Sequence, residues 1–285
     1  MIFGIINVNK PKGLTSHQVV GKLRKILGTK QVGHTGTLDP LAVGVLPVCV
    51  GKATRIIQYL DTSKAYRAYI LLGVRTDTYD TEGTILKKIE VMPDKEQISA
   101  LLQEFKGEIT QIPPMYSAVH YKGKRLYEYA RKNIEIEDIP QRKVTINDVR
   151  LVNIENSTAV VDIDCSGGTY IRSIAHDLGE KLGYGACLEN LIRTRSGKFR
   201  IEDSFTLEEI ENAAPDQYLI PPQNVLDFEI IEISDEQKNE ICNGRHIEAD
   251  KKYEEGKLVQ LVNNDTLAAI AKVESGRILP VKVLC

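Results

Sequence analysis

Gly33-His34-Thr35-Gly36-Thr37-Leu38-Asp39-Pro40-Leu41-Ala42 is the stretch on which the reading of this chain turns. Gly33 and Gly36 permit backbone angles that other residues avoid. Pro40 fixes its own φ and disfavours helix at Asp39. Asp39 is therefore expected in a stiff, extended corner, directly before the apolar run of residues 41–50. A carboxylate held rigidly at the edge of a core is a candidate for chemistry. An Asp-Pro pair by itself is more often a plain turn, so the flanking sequence has to decide.

Before the corner, Ser16 is expected to cap a helix with Val19, Val20, Leu23, Ile26 and Leu27 on its apolar face, stopped by Gly28. After it, residues 44–50 read as a buried strand and 53–60 as a short helix. Residues 65–72 alternate, with Tyr66, Ala68, Ile70 and Leu72 on one face and Arg67 and Tyr69 on the other, the mark of a half-buried strand. Asp94 and Gln97 open a helix. Residues 107–142 form an excursion in which Tyr116, Tyr121, Tyr127 and Tyr129 interleave with Lys122, Lys124, Arg125, Arg131 and Lys132. That mixture suits stacking on unpaired bases and contact with phosphates; it equally suits an amphipathic helix with a tyrosine stripe. Two strands follow, near 143–154 and 158–165. Gly167-Gly168 then turns into a helix, so Tyr170 and Arg172 lie at a strand-to-helix junction, where side chains often project into a cleft. Residues 188–195 and 198–201 read as a hairpin. Pro215, Pro221 and Pro222 mark a linker. From Phe228 onward, short strands with turns at Asn243-Gly244, Asn263-Asn264-Asp265 and Ser275-Gly276 suggest a small β-rich appendage.

The 285 residues, 42% apolar and 27% charged, are those of a globular chain with room for one large domain or a large and a small one. No apolar run reaches the length of a membrane span, and residues 1–8 read as a strand rather than a leader. Five cysteines form no Cys-x-x-Cys pair, so neither a zinc site nor a disulfide framework is expected, and an odd count fits a reducing cytoplasm. Five histidines show no ligand spacing, and no metal is expected. The net charge of -2 hides an asymmetry. Residues 1–60 carry eight Lys and Arg against Asp39 alone, whereas residues 201–240 carry twelve acidic residues against Lys238. A basic surface beside the aspartate corner points to an anionic partner.

Four segments share the style of the corner: Lys10-Pro11-Lys12-Gly13-Leu14-Thr15-Ser16, residues 33–44, Lys64-Ala65-Tyr66-Arg67-Ala68 and Gly168-Thr169-Tyr170-Ile171-Arg172-Ser173. With residues 75–83 and 191–197, the set resembles the TruB family of pseudouridine synthases, which modify uridine 55 of the tRNA T-loop. Six motifs in family order are far more specific than any one. Val43 departs from a threonine common in the family, and Ala65 stands where a basic or small polar residue is usual.

The resemblance implies an α+β fold: a long mixed, mainly antiparallel sheet flanked by helices, with a cleft across its middle. It implies a catalytic domain over residues 1–227, an insertion at about 107–142 that grips the T-arm, and a PUA-like RNA-binding domain over 228–285. Deletion after Asp227 is then expected to raise the Michaelis constant more than it lowers turnover. By position, Asp39 matches the catalytic aspartate. Tyr66 matches the tyrosine that stacks on the base, and Tyr170 and Arg172 match a pocket tyrosine and the arginine that pairs with the aspartate. His34 matches a histidine near the flipped nucleotide, Asp80 a polar network residue, Lys10 a lysine that steadies the pocket, and Leu191 a pocket wall.

The reaction it implies cuts the C1′–N1 glycosidic bond, turns the base and joins C1′ to C5. Composition is unchanged, so no cofactor is expected. A carboxylate can attack as nucleophile or stabilise positive charge as the bond breaks, and an arginine nearby favours its ionised form. A stacked uridine must flip out to be reached. Expected alongside are tRNA as partner through its T-arm and T-loop, no obligatory protein partner, no membrane, a monomer, and a cytoplasmic location. The rival readings are a non-catalytic RNA-binding or RNA-folding protein on the same scaffold and a dyskerin-type subunit guided by a second RNA. A mere binder has no need of both Asp39 and Arg172. A guided subunit would carry a long basic tail and an extended C-terminal domain, which this chain lacks.

Overall fold

The computed structural model describes residues 3–132, 134, 136, 138–249 and 253–285. In chain order it opens with β1 (Gly4–Lys10), α1 (Ser16–Ile26), β2 (Val32–His34), β3 (Val43–Val50), a 3-10 segment at Gly51–Tyr59 and β4 (Lys64–Leu72). A short hairpin, β5 (Val74–Thr76) and β6 (Ile85–Lys88), leads to α2 (Lys95–Gln103) and β7 (Gly107–Gln111). A smaller one, β8 (His120–Tyr121) and β9 (Lys124–Arg125), leads to α3 (Leu126–Ala130). Then come β10 (Arg142–Glu155), β11 (Thr158–Cys165), α4 (Ile171–Leu182) and β12 (Ala186–Ser196). The remainder holds β13 (Phe199–Arg200), α5 (Leu207–Asn212), α6 (Pro215–Tyr218), β14 (Leu219–Ile220), β15 (Glu229–Glu232) and α7 (Asp235–Cys242). It ends with β16 (Ile247–Glu248), β17 (Leu258–Asn263), β18 (Thr266–Glu274) and β19 (Arg277–Val283). The class is α+β, as expected. The chain divides into two compact units.

One unit comprises residues 40–44 and 62–196. Its sheet runs β12–β4–β11–β10–β7, every pairing antiparallel. The start of β3 joins it in parallel, Val43 opposite Ile192 and Gly44 opposite Arg193. The sheet is therefore mixed and mainly antiparallel. β4 alternates as its sequence requires, burying Lys64, Tyr66, Ala68, Ile70 and Leu72. The helix α4 buries Ile171, Ile174, Ala175, Leu178 and Leu182 and packs on β12; each of its isoleucines and leucines removed from water is worth about 1.5–3 kcal/mol. Gly179 lets α4 approach closely, since a Cβ there would lie 2.0 Å from the amide nitrogen of Ala186. Residues 107–111, at the start of the expected excursion, are strand β7. The hairpin β8–β9 and α3 follow.

The other unit comprises residues 1–39, 45–61 and 197–285. Here β1 lies between β14 and β3, and β2 pairs with β3. A five-stranded sheet, β15–β17–β18–β19–β16, forms the β-rich C-terminal part. Its hairpin turns use left-handed residues, Asn264-Asp265 and Ser275-Gly276, as their composition suggests. Ile5, Val45, Cys49, Ala53 and Ile56 share a core with Val262, Leu267, Ile270 and Leu284. Deleting everything after Asp227 would strip the last four from that core, so it would test folding rather than RNA affinity alone.

Three local readings need correction. Thr15 and not Ser16 caps α1, through a capping box with Gln18. Asn243-Gly244 ends the helix α7 rather than joining strands; the helix starts at a Ser234–Gln237 capping box. Cys242 and Cys285 form a disulfide across a Cα separation of 5.8 Å, against the expectation that no cysteines pair. Their 43-residue separation carries no motif, and α7 and the chain end meet only in the folded unit. Among the described residues no helix is long and apolar enough to cross a membrane.

Candidate active site

In the unit that holds Asp39, the side chain of Lys10 is fully buried at the end of β1. Its ammonium donates to the carbonyls of Pro11 at 3.0 Å and Leu14 at 2.6 Å, bracing the loop that enters α1. Because Thr15 does the capping, the neighbouring Ser16 hydroxyl turns inward. It accepts from the Leu38 amide at 2.8 Å and donates to the Leu38 carbonyl at 3.2 Å. One buried hydroxyl thus fixes both main-chain groups of the residue before Asp39, and Pro40 restricts the residue from the other side. His34 closes β2 opposite Val48, and the Thr35 amide donates to the Pro47 carbonyl at 3.1 Å. Asp39 itself is half-buried.

In the other unit, Tyr66 on β4 is 8% exposed and stands opposite Arg193 on β12. Leu191, opposite Ala68, shares that face of the sheet. Arg193 is 1% exposed, an interior position that arginines rarely take. Gly44 lies beside it with φ +99°, and a Cβ there would come within 2.4 Å of the Arg193 carbonyl oxygen. The glycine is needed for that close parallel approach.

Tyr170 is the N-cap of α4 but offers no side-chain cap. Its main chain is held by Gln111: the Tyr170 amide donates to Oε1 at 2.7 Å, and Nε2 donates to the Tyr170 carbonyl at 2.9 Å. The Arg142 guanidinium lies 5.2 Å from the centre of the Tyr170 ring, a cation–π contact. Arg172, the second residue of the helix, is buried. It forms an ion pair with Asp80 at 3.4 Å and donates to the carbonyls of Thr78 at 3.3 Å and Tyr116 at 3.0 Å. Asp80, also buried, accepts from the Thr78 hydroxyl at 2.6 Å and the Glu82 amide at 3.1 Å. A buried carboxylate and guanidinium are tolerable only with this degree of satisfaction.

Of the residues expected at the site, the structure brings Asp80 onto Arg172, places Tyr170 at the head of the same helix, and sets Tyr66 and Leu191 on one sheet face. Lys10, His34 and Asp39 belong to the other unit. Sequence reasoning missed Ser16 as the support of Leu38, Gln111 as the clamp on Tyr170, and Arg193. Ser16 had a local signal, since a second hydroxyl beside a capping threonine is available for other work. Gln111 had none, its partner lying 59 residues away. The three free cysteines, Cys49, Cys165 and Cys187, are pushed by burial up to about 12, 11 and 12, so their thiols stay protonated and are poor nucleophiles.

Residues 24–171 match the N-terminal domain of the TruB family pseudouridylate synthases, and residues 172–221 match the C-terminal domain of tRNA pseudouridylate synthase B. The chain belongs to the TruB family. It is similar to the tRNA pseudouridine synthase B of Moorella thermoacetica, 45% identical over 290 residues, which cover 96% of this chain and 95% of that protein. The protein of the same name from Dehalococcoides mccartyi strain BAV1 is 44% identical over 288 residues, covering 98% and 96%. Among solved structures, a crystal structure of a Cbf5-Nop10-Gar1 complex matches with a TM-score of 0.75 at 28% identity, covering 99% of this chain and 85% of that one. A TruB family member is an isomerase, a pseudouridine synthase.

Proposed function

We propose that this synthase acts on tRNA and converts uridine 55 of the T-loop to pseudouridine, with Asp39 as its catalytic carboxylate. What carries the reading is the fixed corner at Asp39, in a chain similar over nearly its whole length to proteins named tRNA pseudouridine synthase B. Asp39 attacks, or stabilises positive charge at, C1′ as the bond to N1 breaks. The freed uracil turns, C5 bonds to C1′, the proton on C5 leaves and N1 gains one. Atoms and electrons balance within the nucleotide and solvent, with no cofactor. Tyr66 stacks on the flipped base and Leu191 walls its pocket. Tyr170 contacts the base, and Arg172 supports the charged carboxylate. His34 lies by the flipped nucleotide, while Lys10 and Asp80 steady the loops. Residues 107–142 grip the T-arm; residues 228–285 form a PUA-like domain beginning after a catalytic domain of residues 1–227. The enzyme works as a cytoplasmic monomer.

The test uses an unmodified tRNA transcript tritiated at uridine C5, with wild type and Asp39→Asn. Tritium release from one T-loop position by the wild type alone, with both proteins still binding tRNA, is the expected result. Tight binding by the wild type without release would overturn the reading. Release from a position outside the T-loop would overturn only the choice of uridine 55.

A further inference from the structure

Three contacts run in succession along one face of α4. Arg172 meets Asp80 at 3.4 Å, His176 meets Tyr79, and Glu180 meets Arg75 at 3.5 Å. The three helix residues are four apart, one turn each, so they line one stripe. Their partners all come from residues 75–80, the segment that carries Asp80. The middle contact is the least ordinary. The Tyr79 and His176 rings are stacked, with centroids 3.8 Å apart and planes 9° from parallel. Tyr79 has φ +66°, the left-handed region that a bulky residue rarely enters without something to hold it there. His176 Nδ1 is buried without a hydrogen-bond partner among the described residues, so this histidine is not kept for its hydrogen bonds at that atom. It offers a flat ring. Burial also lowers its basicity, which keeps the ring neutral.

The main chain on either side of Asp80 is pinned as well. The Leu188 amide donates to the Tyr79 carbonyl at 2.9 Å, and the Thr81 amide donates to the Leu188 carbonyl at 3.0 Å. These bonds locate the segment on β12, and the Thr76 and Thr78 hydroxyls donate to the Asp80 carbonyl at 2.7 Å and 3.2 Å. The side chains of Tyr79 and Asp80 leave adjacent Cα atoms, and a left-handed Tyr79 turns one to His176 and the next to Arg172. We infer that the Tyr79–His176 stack is a positioning device: it holds residue 79 in its left-handed conformation and so delivers the Asp80 carboxylate to Arg172. The assignment of a catalytic benefit rests on the function proposed above, while the mechanical part stands without it.

The test pairs a structural with a kinetic measurement on the full-length protein, using His176→Ala, Tyr79→Leu and Tyr79→Phe. Hydrogen–deuterium exchange of peptides covering residues 76–84 should quicken by about tenfold or more in His176→Ala and Tyr79→Leu, with β4 and β11 peptides unchanged. Tyr79→Phe keeps the ring and should exchange like the wild type. In the tritium assay, His176→Ala should lower kcat by about tenfold with KM within about twofold, and should lower it no further in an Asp80→Asn background. Unchanged exchange at 76–84 would overturn the device, and so would Tyr79→Phe behaving like Tyr79→Leu. Fully additive losses with Asp80→Asn would overturn its action through Asp80. A wild type inactive on tRNA would defeat the proposed function, and the exchange result would still decide the positioning role.

Discussion

Asp39 and Asp80 are carboxylates in threonine-rich loops, and different groups are seen to hold the two loops. At Asp80 the side chain itself is the fixed point: buried, taking hydrogen bonds from Thr78 and the Glu82 amide, and paired with Arg172. At Asp39 what is fixed is the main chain next door, through the Ser16 hydroxyl on both polar groups of Leu38, while the carboxylate is half-buried. The Asp80 carboxylate is held inside the scaffold by its own hydrogen bonds and ion pair. At Asp39 the held main chain next door sets where a half-buried carboxylate stands. The contrast separates stability from turnover, and each variant below acts on that separation.

The largest effect is expected from comparing Asp39→Asn with Asp80→Asn. Asp39→Asn should cut turnover by about a thousandfold or more and leave the melting temperature where it was. Asp80→Asn should cut turnover less and lower the melting temperature. Equal thermal losses in the two variants would erase the distinction. Next in size is Arg172→Met. It strands the Asp80 carboxylate, whose side chain is 7% exposed, and breaking such a pair from one side costs about 3–5 kcal/mol. Adding Asp80→Asn should recover much of that loss in denaturant unfolding; a double variant no more stable than Arg172→Met would show that the pair is not what Arg172 holds. Smaller again is Ser16→Ala. It leaves the buried Leu38 amide without its acceptor, a loss of about 1–3 kcal/mol. Here kcat should fall more than tRNA affinity, because the corner loosens without losing contact surface. Weakened binding with kcat intact would mean that the hydroxyl supports the RNA surface and not the corner.

How far these features were legible in the sequence follows the distance over which each acts. The stiffness of Asp39-Pro40, the alternation that buries Tyr66, the helix after Gly167-Gly168 and the left-handed turns at Asn264-Asp265 are local, and they were read from neighbours. Pairing of residues 94 and 132 apart, such as Arg172 with Thr78 or Arg195 with Ser63, leaves no local trace. The same holds for the disulfide and for Gln111 on Tyr170. Ser16 is the instructive failure. Its sequence position suggests the cap, but two adjacent hydroxyls compete for one cap and Gln18 is spaced to serve Thr15. The family was legible where single residues were not, since motif order carries information that local physics does not.

The smallest effect tests whether carboxylates on the α4 scaffold behave as Asp80 does. Asp177 lies beside His176 on α4, and burial, then the nearby Glu180 charge, raise it from the ordinary carboxylate range to about 6. Its environment favours the neutral acid. The sign follows from linkage: a group held more tightly protonated in the fold contributes its stability in full below its unfolded value, near 4, and loses it as pH rises through about 6. At pH 8 the folded protein therefore carries an unfavourable charge at this position. Asp177→Asn should raise the melting temperature at pH 8 by about 2–4 °C, and the gain should shrink toward zero at pH 4, where both side chains are neutral in the fold. A gain independent of pH would come from packing or helix propensity, and a loss at pH 8 would mean that the carboxylate is ionised and paired there after all, making α4 a scaffold of charge pairs from end to end.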